Sequence, residues 1–229
     1  MPTTAWKSAG TVSSQTRTGG TVSWTNPSNA TASDNTYATA ALTLNASHWL
    51  WCTNFGFTSS DVPSGATING MEMRWERKSA YGLAGEDTTE TTYFKPIVGG
   101  AEAGTQKTNT LDHIPTSDTQ ETKGGAADLW GRTYTQAEVV ASDTGIAIAR
   151  EDLNYSTETC SVDLVELRYT YTEASTFTPK TSSFFLVFHT LWESVIAMCG
   201  IMMLRCTCTK SLTSERAYPL SIGRLQGLL

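Results

Sequence analysis

Histidine, charge and the motifs that announce a reaction are all scarce in this chain. It holds three histidines in 229 residues, and His48, His113 and His189 each lack a ligand-like neighbour at close spacing. That removes the usual signature of an imidazole base or a metal cluster. There is no glycine-rich phosphate loop, no His-Glu-x-x-His pair and no Gly-x-Ser-x-Gly elbow. The five cysteines are odd in number: Cys52 and Cys160 stand alone within predicted strands, and Cys199, Cys206 and Cys208 crowd the tail. They lack both the framework spacing of a disulfide scaffold and the second pair or histidines of a zinc site, so free thiols are expected. The opening MPTTAWKSAGTVSS shows no charged segment followed by an apolar one, which predicts assembly in a cytoplasm.

Charged residues make up 17% of the chain and are unevenly spread. Residues 1–175 hold 11 Lys and Arg against 20 Asp and Glu, whereas 176–229 hold 5 against 2. An acidic body without a basic face is a poor partner for phosphate backbones, so nucleic-acid binding is not expected. The carboxylates of EDTTE (86–90) and EDLN (151–154) could bind Ca²⁺ or act as an acid and base pair, but neither stretch has the spaced calcium loop. Solvated loop residues are the expectation, with no catalytic residue, metal or cofactor.

What is abundant is Thr, Ser and Gly, set among short alternating segments. ATINGMEMRWER (66–77) places Met71, Met73 and Trp75 on one face and Glu72, Arg74 and Glu76 on the other, the two-residue period of a half-buried strand. Further strands are predicted at 37–44, 48–57, 91–100, 144–150 and 160–172, the last covered on both faces. Turn clusters such as DVPSGA (61–66) and GGAEAG (99–104) separate them. TQAEVV (135–140) carries the capping-box pattern of Thr135 and Glu138 before an apolar pair, predicting one short helix. The spacing predicts an all-β fold, an antiparallel β-sandwich, divided as an N-terminal arm (1–22), the sandwich (23–175) and a C-terminal extension (176–229).

That extension contains a mostly apolar run, FFLVFHTLWESVIAMCGIMML (184–204), interrupted by His189 and Glu193. It is long enough for a membrane-spanning helix, yet the ionisable pair weighs against one. A helix buried in an oligomer or against a neighbouring protein, or an extension unrelated to the body, are the competing readings. A membrane-anchored surface protein is accordingly the least favoured use of the chain.

The stretch WTNPSNATASDNTYAT (24–39), followed by NFGF (54–57), PSGATING (63–70), DLWG (128–131), TGIAI (144–148) and VDLVELRYTY (162–171), resembles in order and spacing a family of virion structural proteins of tailed bacteriophages. The resemblance covers roughly residues 20–172 and stops before the extension. It implies a jelly-roll-like sandwich and a non-enzymatic structural role: a capsid decoration protein or a head or tail appendage subunit, located in the virion. The implied partners are other virion proteins, such as the major capsid protein, and copies of itself in a trimer or other symmetric oligomer.

Trp24, Asn26, Pro27, Asn29, Tyr37, Trp49, Trp51 and Trp130 are the candidate contact residues. Pro27 sets its own φ, and Asn26, Asn29 and Asp34 can bond back to the backbone, so 24–36 is expected to be an ordered loop pinned by Trp24 and Tyr37. Its small residues would let another copy approach closely. In the competing reading, a carbohydrate-binding module of a tail fibre, Trp49, Trp51 or Trp130 stacks on a host glycan.

Overall fold

The computed structural model describes residues 1–80, 90–153 and 157–175. Within them the chain forms twelve strands, one 3-10 turn and one short helix. In chain order these are β1 (Lys7–Ser8), β2 (Thr11–Gln15), the 3-10 turn (Pro27–Ala30), β3 (Ala38–Leu42), β4 (Asn45–Ala46) and β5 (Trp49–Thr53). Then follow β6 (Thr67–Ser79), β7 (Thr91–Val98), β8 (Ala101–Glu102), β9 (Lys107–Thr110), β10 (Thr119–Gly124), α1 (Gln136–Val140), β11 (Gly145–Asp152) and β12 (Glu158–Thr172).

Two antiparallel sheets result, giving a jelly-roll-like β-sandwich. The first runs β1-β12-β6-β10 with β3 also on β12; the second runs β2-β5-β11-β7-β8, with β4 on β11 and β9 on β7. The alternation in β6 is used as predicted: Met71, Met73 and Trp75 are buried, and Glu72, Arg74 and Glu76 face outward. Trp75 meets Phe94 of the second sheet edge to face at 5.5 Å, which ties the layers together at the centre of the core. Each such large buried side chain contributes about 1.5–3 kcal/mol of transfer free energy.

β12 is nearly continuous in its burial because it is covered twice. Val165, Leu167 and Tyr169 enter the core. On the other face, Asp163 accepts from the Asp34 and Asn35 N–H groups and Trp6 lies over Arg168, while β1 and Thr4 extend the sheet beside it by pairing along its edge. The first 22 residues, expected as an arm, therefore belong to the body, supplying one strand to each sheet. Residues Met1–Thr176 form one compact unit.

The outer face of the first sheet is an ionic lattice. Register sets Arg168 opposite Glu72 and Glu166 opposite Arg74, and both pairs are hydrogen-bonded. Trp6 lies against both guanidiniums, 4.7 Å from Arg74 and 4.4 Å from Arg168.

The helix keeps its predicted cap: the Glu138 N–H donates to the Thr135 hydroxyl while Glu138 accepts from the Thr135 N–H. β9 and β10 were not predicted, since KTNT and TQETKG hold no apolar residue. β10 forms because its six residues align against the long β6, and β9 because its four residues align against β7, leaving polar edges that discourage pairing with a stray chain. Among the described residues no helix is long and apolar enough to cross a membrane. The apolar run, the tail cysteines and the loop 81–89 lie outside the described residues.

Candidate functional site

The second sheet turns an aromatic face outward. In β5 the residues Leu50 and Cys52 enter the core, so Trp49 and Trp51 point the opposite way. In β7 the same alternation sends Phe94 inward and Tyr93 outward. Between them runs β11, whose outward residues Ala147 and Ala149 are fully covered. Register places Ala147 opposite Trp51 and Lys95, and Ala149 opposite Tyr93. Large rings on the flanking strands thus stand beside a floor of alanine.

Arg17 reaches over this floor. Its guanidinium lies 5.2 Å from the Trp49 ring centre and 4.2 Å from that of Tyr93, within cation–π range of both. Two carboxylates rim the slot: Glu102 accepts the Trp49 indole N–H at 2.7 Å, and Glu151 accepts the Tyr93 hydroxyl. Burial, and then the bond to Glu151, hold the Tyr93 phenol above its ordinary pKa. Trp49 is 2% exposed, while Trp51 and Tyr93 are half-buried. The slot offers ring faces, carboxylate acceptors at its edge and the guanidinium and Lys95 as donors.

A second polar concentration lies inside the sandwich. Arg150 donates to Glu90 at 2.5 Å, to Glu158 at 3.0 Å, to Thr92 at 2.9 Å and to Asp112 at 3.2 Å. Arg77 adds a 2.8 Å bond to the same Asp112 oxygen and an ion pair with Glu121. Burial and the neighbouring Glu158 charge push the Glu90 carboxyl up to about 7, against the pull of Arg150. Burial also raises Glu158. For Asp112 burial works upward, but the hydrogen bond and charge of Arg77 outweigh it and the pKa falls. Each of these side chains is used by its neighbours, which makes the cluster an internal brace between β11, β12 and the start of β7.

The loop 24–37 is ordered as expected, by partly different means. Trp24 is buried and its indole N–H donates to the His48 carbonyl; the Tyr37 hydroxyl donates to Asp118, with the Lys78 ammonium over its ring. Asn29 donates to the Tyr37 carbonyl, and Asp34 accepts from the Thr36 N–H. Asn26 makes no side-chain cap; it holds the left-handed conformation (φ 49) that lets Pro27 open the 3-10 turn. Of the loop's small residues Ala30 is buried against the sandwich, while Ser28, Ala32 and Ser33 are exposed.

Of the eight candidate residues, Asn26, Pro27, Asn29 and Tyr37 meet in the loop 24–37, while Trp49 and Trp51 share the outer face of the second sheet. Trp130 is core, its indole N–H bonded to the Met71 carbonyl, and cannot join a surface rim with them. Sequence reasoning missed Tyr93 and Arg17. The Tyr93-Phe94 pair was a usable signal, because adjacent aromatics in a strand must cover both faces. Nothing local marks Arg17. Cys52 and Cys160 are free and buried, with the Cys160 thiol pushed up to about 12 by burial and so kept protonated.

No protein-family model matches the chain, and no curated protein matches it. Among solved structures it is similar to one described as "CBM4 structure and function", with 13% identity over 72% of this chain and 94% of that one and a TM-score of 0.36. It is also similar to the CBM22-1 xylan-binding domain of Xyn10C from Paenibacillus barcinonensis, with 10% identity over 74% and 88% and a TM-score of 0.28. Similarity at these scores carries nothing about what the present chain binds.

Proposed function

We propose that the chain is a non-enzymatic structural protein of a tailed-phage virion, a capsid decoration protein or an appendage subunit that works through contacts with other virion proteins and with copies of itself. The observation that supports this reading is the use made of the residues behind the family resemblance. Asn26, Asn54 and Trp130 hold left-handed backbone at chain reversals. Trp24, Phe55, Phe57, Ile68 and Trp130 fill the core. The recurrent pattern thus encodes a shape, as a scaffold of subunit contacts requires. Mass spectrometry of purified particles from the source virus is the test. Finding the polypeptide in stoichiometric amount supports the reading, and its absence from the particles ends it.

The outer face of the second sheet favours a second reading, a glycan-recognition module of a tail fibre. Trp51 and Tyr93 with the carboxylate rim form the kind of surface on which a sugar stacks by its C–H face and is held by its hydroxyls. Glycan-array binding that disappears in Trp51→Ala would favour it. Labelling confined to the capsid shell, away from the tail, would count against it.

A further inference from the structure

Five arginines lie over aromatic rings among the described residues: Arg17, Arg74, Arg77, Arg132 and Arg168. Four of them also hold a carboxylate: Arg74 with Glu166, Arg77 with Asp112, Arg132 with Glu138 and Arg168 with Glu72. Arg17 has no carboxylate within ion-pair distance among the described residues. It is held by the rings of Trp49 and Tyr93 and by a hydrogen bond with the Tyr93 hydroxyl, on a half-buried side chain next to solvent.

Its backbone, by contrast, is firmly placed. The Gly20 N–H closes a turn onto the Arg17 carbonyl at 2.9 Å, and the Thr21 N–H donates to Ala46 at 2.8 Å. Gly19 takes φ +81, and a Cβ on Gly20 would meet the Ser47 carbonyl oxygen at 2.4 Å. The turn is fixed and the side chain is the part free to move.

We infer that Arg17 is a displaceable plug in a sugar-binding slot between Trp49 and Tyr93, and that a neutral pyranose ring is the ligand that replaces it. This inference rests on the second reading above. The slot's dimensions follow from the sheet: its walls stand on strands two apart, about 9–10 Å, with fully covered Ala149 between them. A ring of sugar thickness fits that gap as a guanidinium does. Glu102 and Glu151 stand at the edges, where hydroxyls of a stacked ring would point, and Lys95, whose ammonium donates to the Gly104 carbonyl, lies along the same face. Swinging Arg17 into water exposes a charge that is readily hydrated and breaks no ion pair, so the plug opposes binding by its cation–π contacts and its hydrogen bond with Tyr93.

The test is calorimetric titration of the full chain, wild type and Arg17→Ala, with soluble hexasaccharides of glucose, xylose and mannose. Acrylamide quenching of tryptophan fluorescence and thermal melting run alongside. The expected result is that Arg17→Ala melts as wild type does, quenches more readily and binds one of the sugars about 3- to 30-fold more tightly, the range set by the cation–π contacts removed. Adding Tyr93→Ala to that variant is expected to abolish the gain. Equal affinity in both forms overturns the plug and leaves the glycan reading standing. Weaker binding by Arg17→Ala makes Arg17 a ligand contact and also overturns it. No binding by either form sinks the glycan reading with the plug, and capture of a tri-arginine peptide by Arg17→Ala reassigns the slot to a cation.

Discussion

Glu90 shows how much a single side chain's surroundings decide. Burial and the Glu158 charge raise its carboxyl from 4.5 to about 7, so the folded state holds that proton more tightly than the unfolded chain. Its contribution to stability is complete below the ordinary value and is lost as pH rises through about 7. Glu158, raised by burial, acts in the same direction. Asp112 acts oppositely: with a pKa lowered through Arg77, its contribution is present above the ordinary 3.8 and lost as pH falls below it. This cluster is thus expected to favour folding most near pH 4–5 and less toward pH 8. Glu90→Gln is expected to flatten that decline, leaving the variant about 1–2 kcal/mol more stable than wild type at pH 8, as read from urea midpoints at pH 5 and 8. An unchanged slope would move the titration to another group. Tyr169 offers a simpler case. Its ring packs edge to face on Phe57 at 5.1 Å, while its buried hydroxyl has no hydrogen-bond partner among the described residues. Tyr169→Phe is expected to melt at the same temperature or a few degrees higher, since it removes an unsatisfied group worth about 1 kcal/mol.

At the scale of elements, local chemistry and long-range register make separate contributions. α1 has five residues, too few to persist by propensity, and its reciprocal Thr135–Glu138 cap satisfies two backbone donors at its start. Thr135→Ala is expected to cost about 1 kcal/mol in urea denaturation, with the strands unaffected by circular dichroism. β11 depends instead on close strand approach. A Cβ on Gly145 would lie 1.9 Å from the Cys52 carbonyl oxygen across the β5–β11 pair. Gly145→Ala is therefore expected to be more damaging than the cap variant, by about 2 kcal/mol or more, and visible as a lowered melting temperature. The strand faces of β6 and the helix cap were legible because each is set within a dozen residues. β9 and β10 were not, because polar strands signal themselves only through the partner they pair with. Pro27 and Asn26 illustrate the middle ground: the sequence marks a turn there, while the left-handed φ of Asn26 appears only in the fold.

For the whole molecule, the two outer faces differ in kind. One is closed by paired charges and Trp6; the other presents rings over alanine with an arginine between them. On the glycan-recognition reading proposed above, this asymmetry assigns recognition to the second sheet. The compact unit Met1–Thr176 contains both sheets and the shared core. A chain truncated after residue 175 is expected to unfold in one cooperative thermal transition, followed by circular dichroism; a broad, non-cooperative loss of signal would show that the sandwich needs the extension.

The amino-acid sequence alone determined the fold class, the faces of the longest strands and the helix cap, because period-two alternation and capping act between near neighbours. It also located the ordered loop between Trp24 and Tyr37. The tertiary structure decided which aromatics became core and which became surface, that Arg150 gathers carboxylates from distant strands, and that Arg17 lies over Trp49 and Tyr93. Those outcomes depend on which strands pair and in what register, and pairing between residues tens of positions apart leaves no mark in any local stretch.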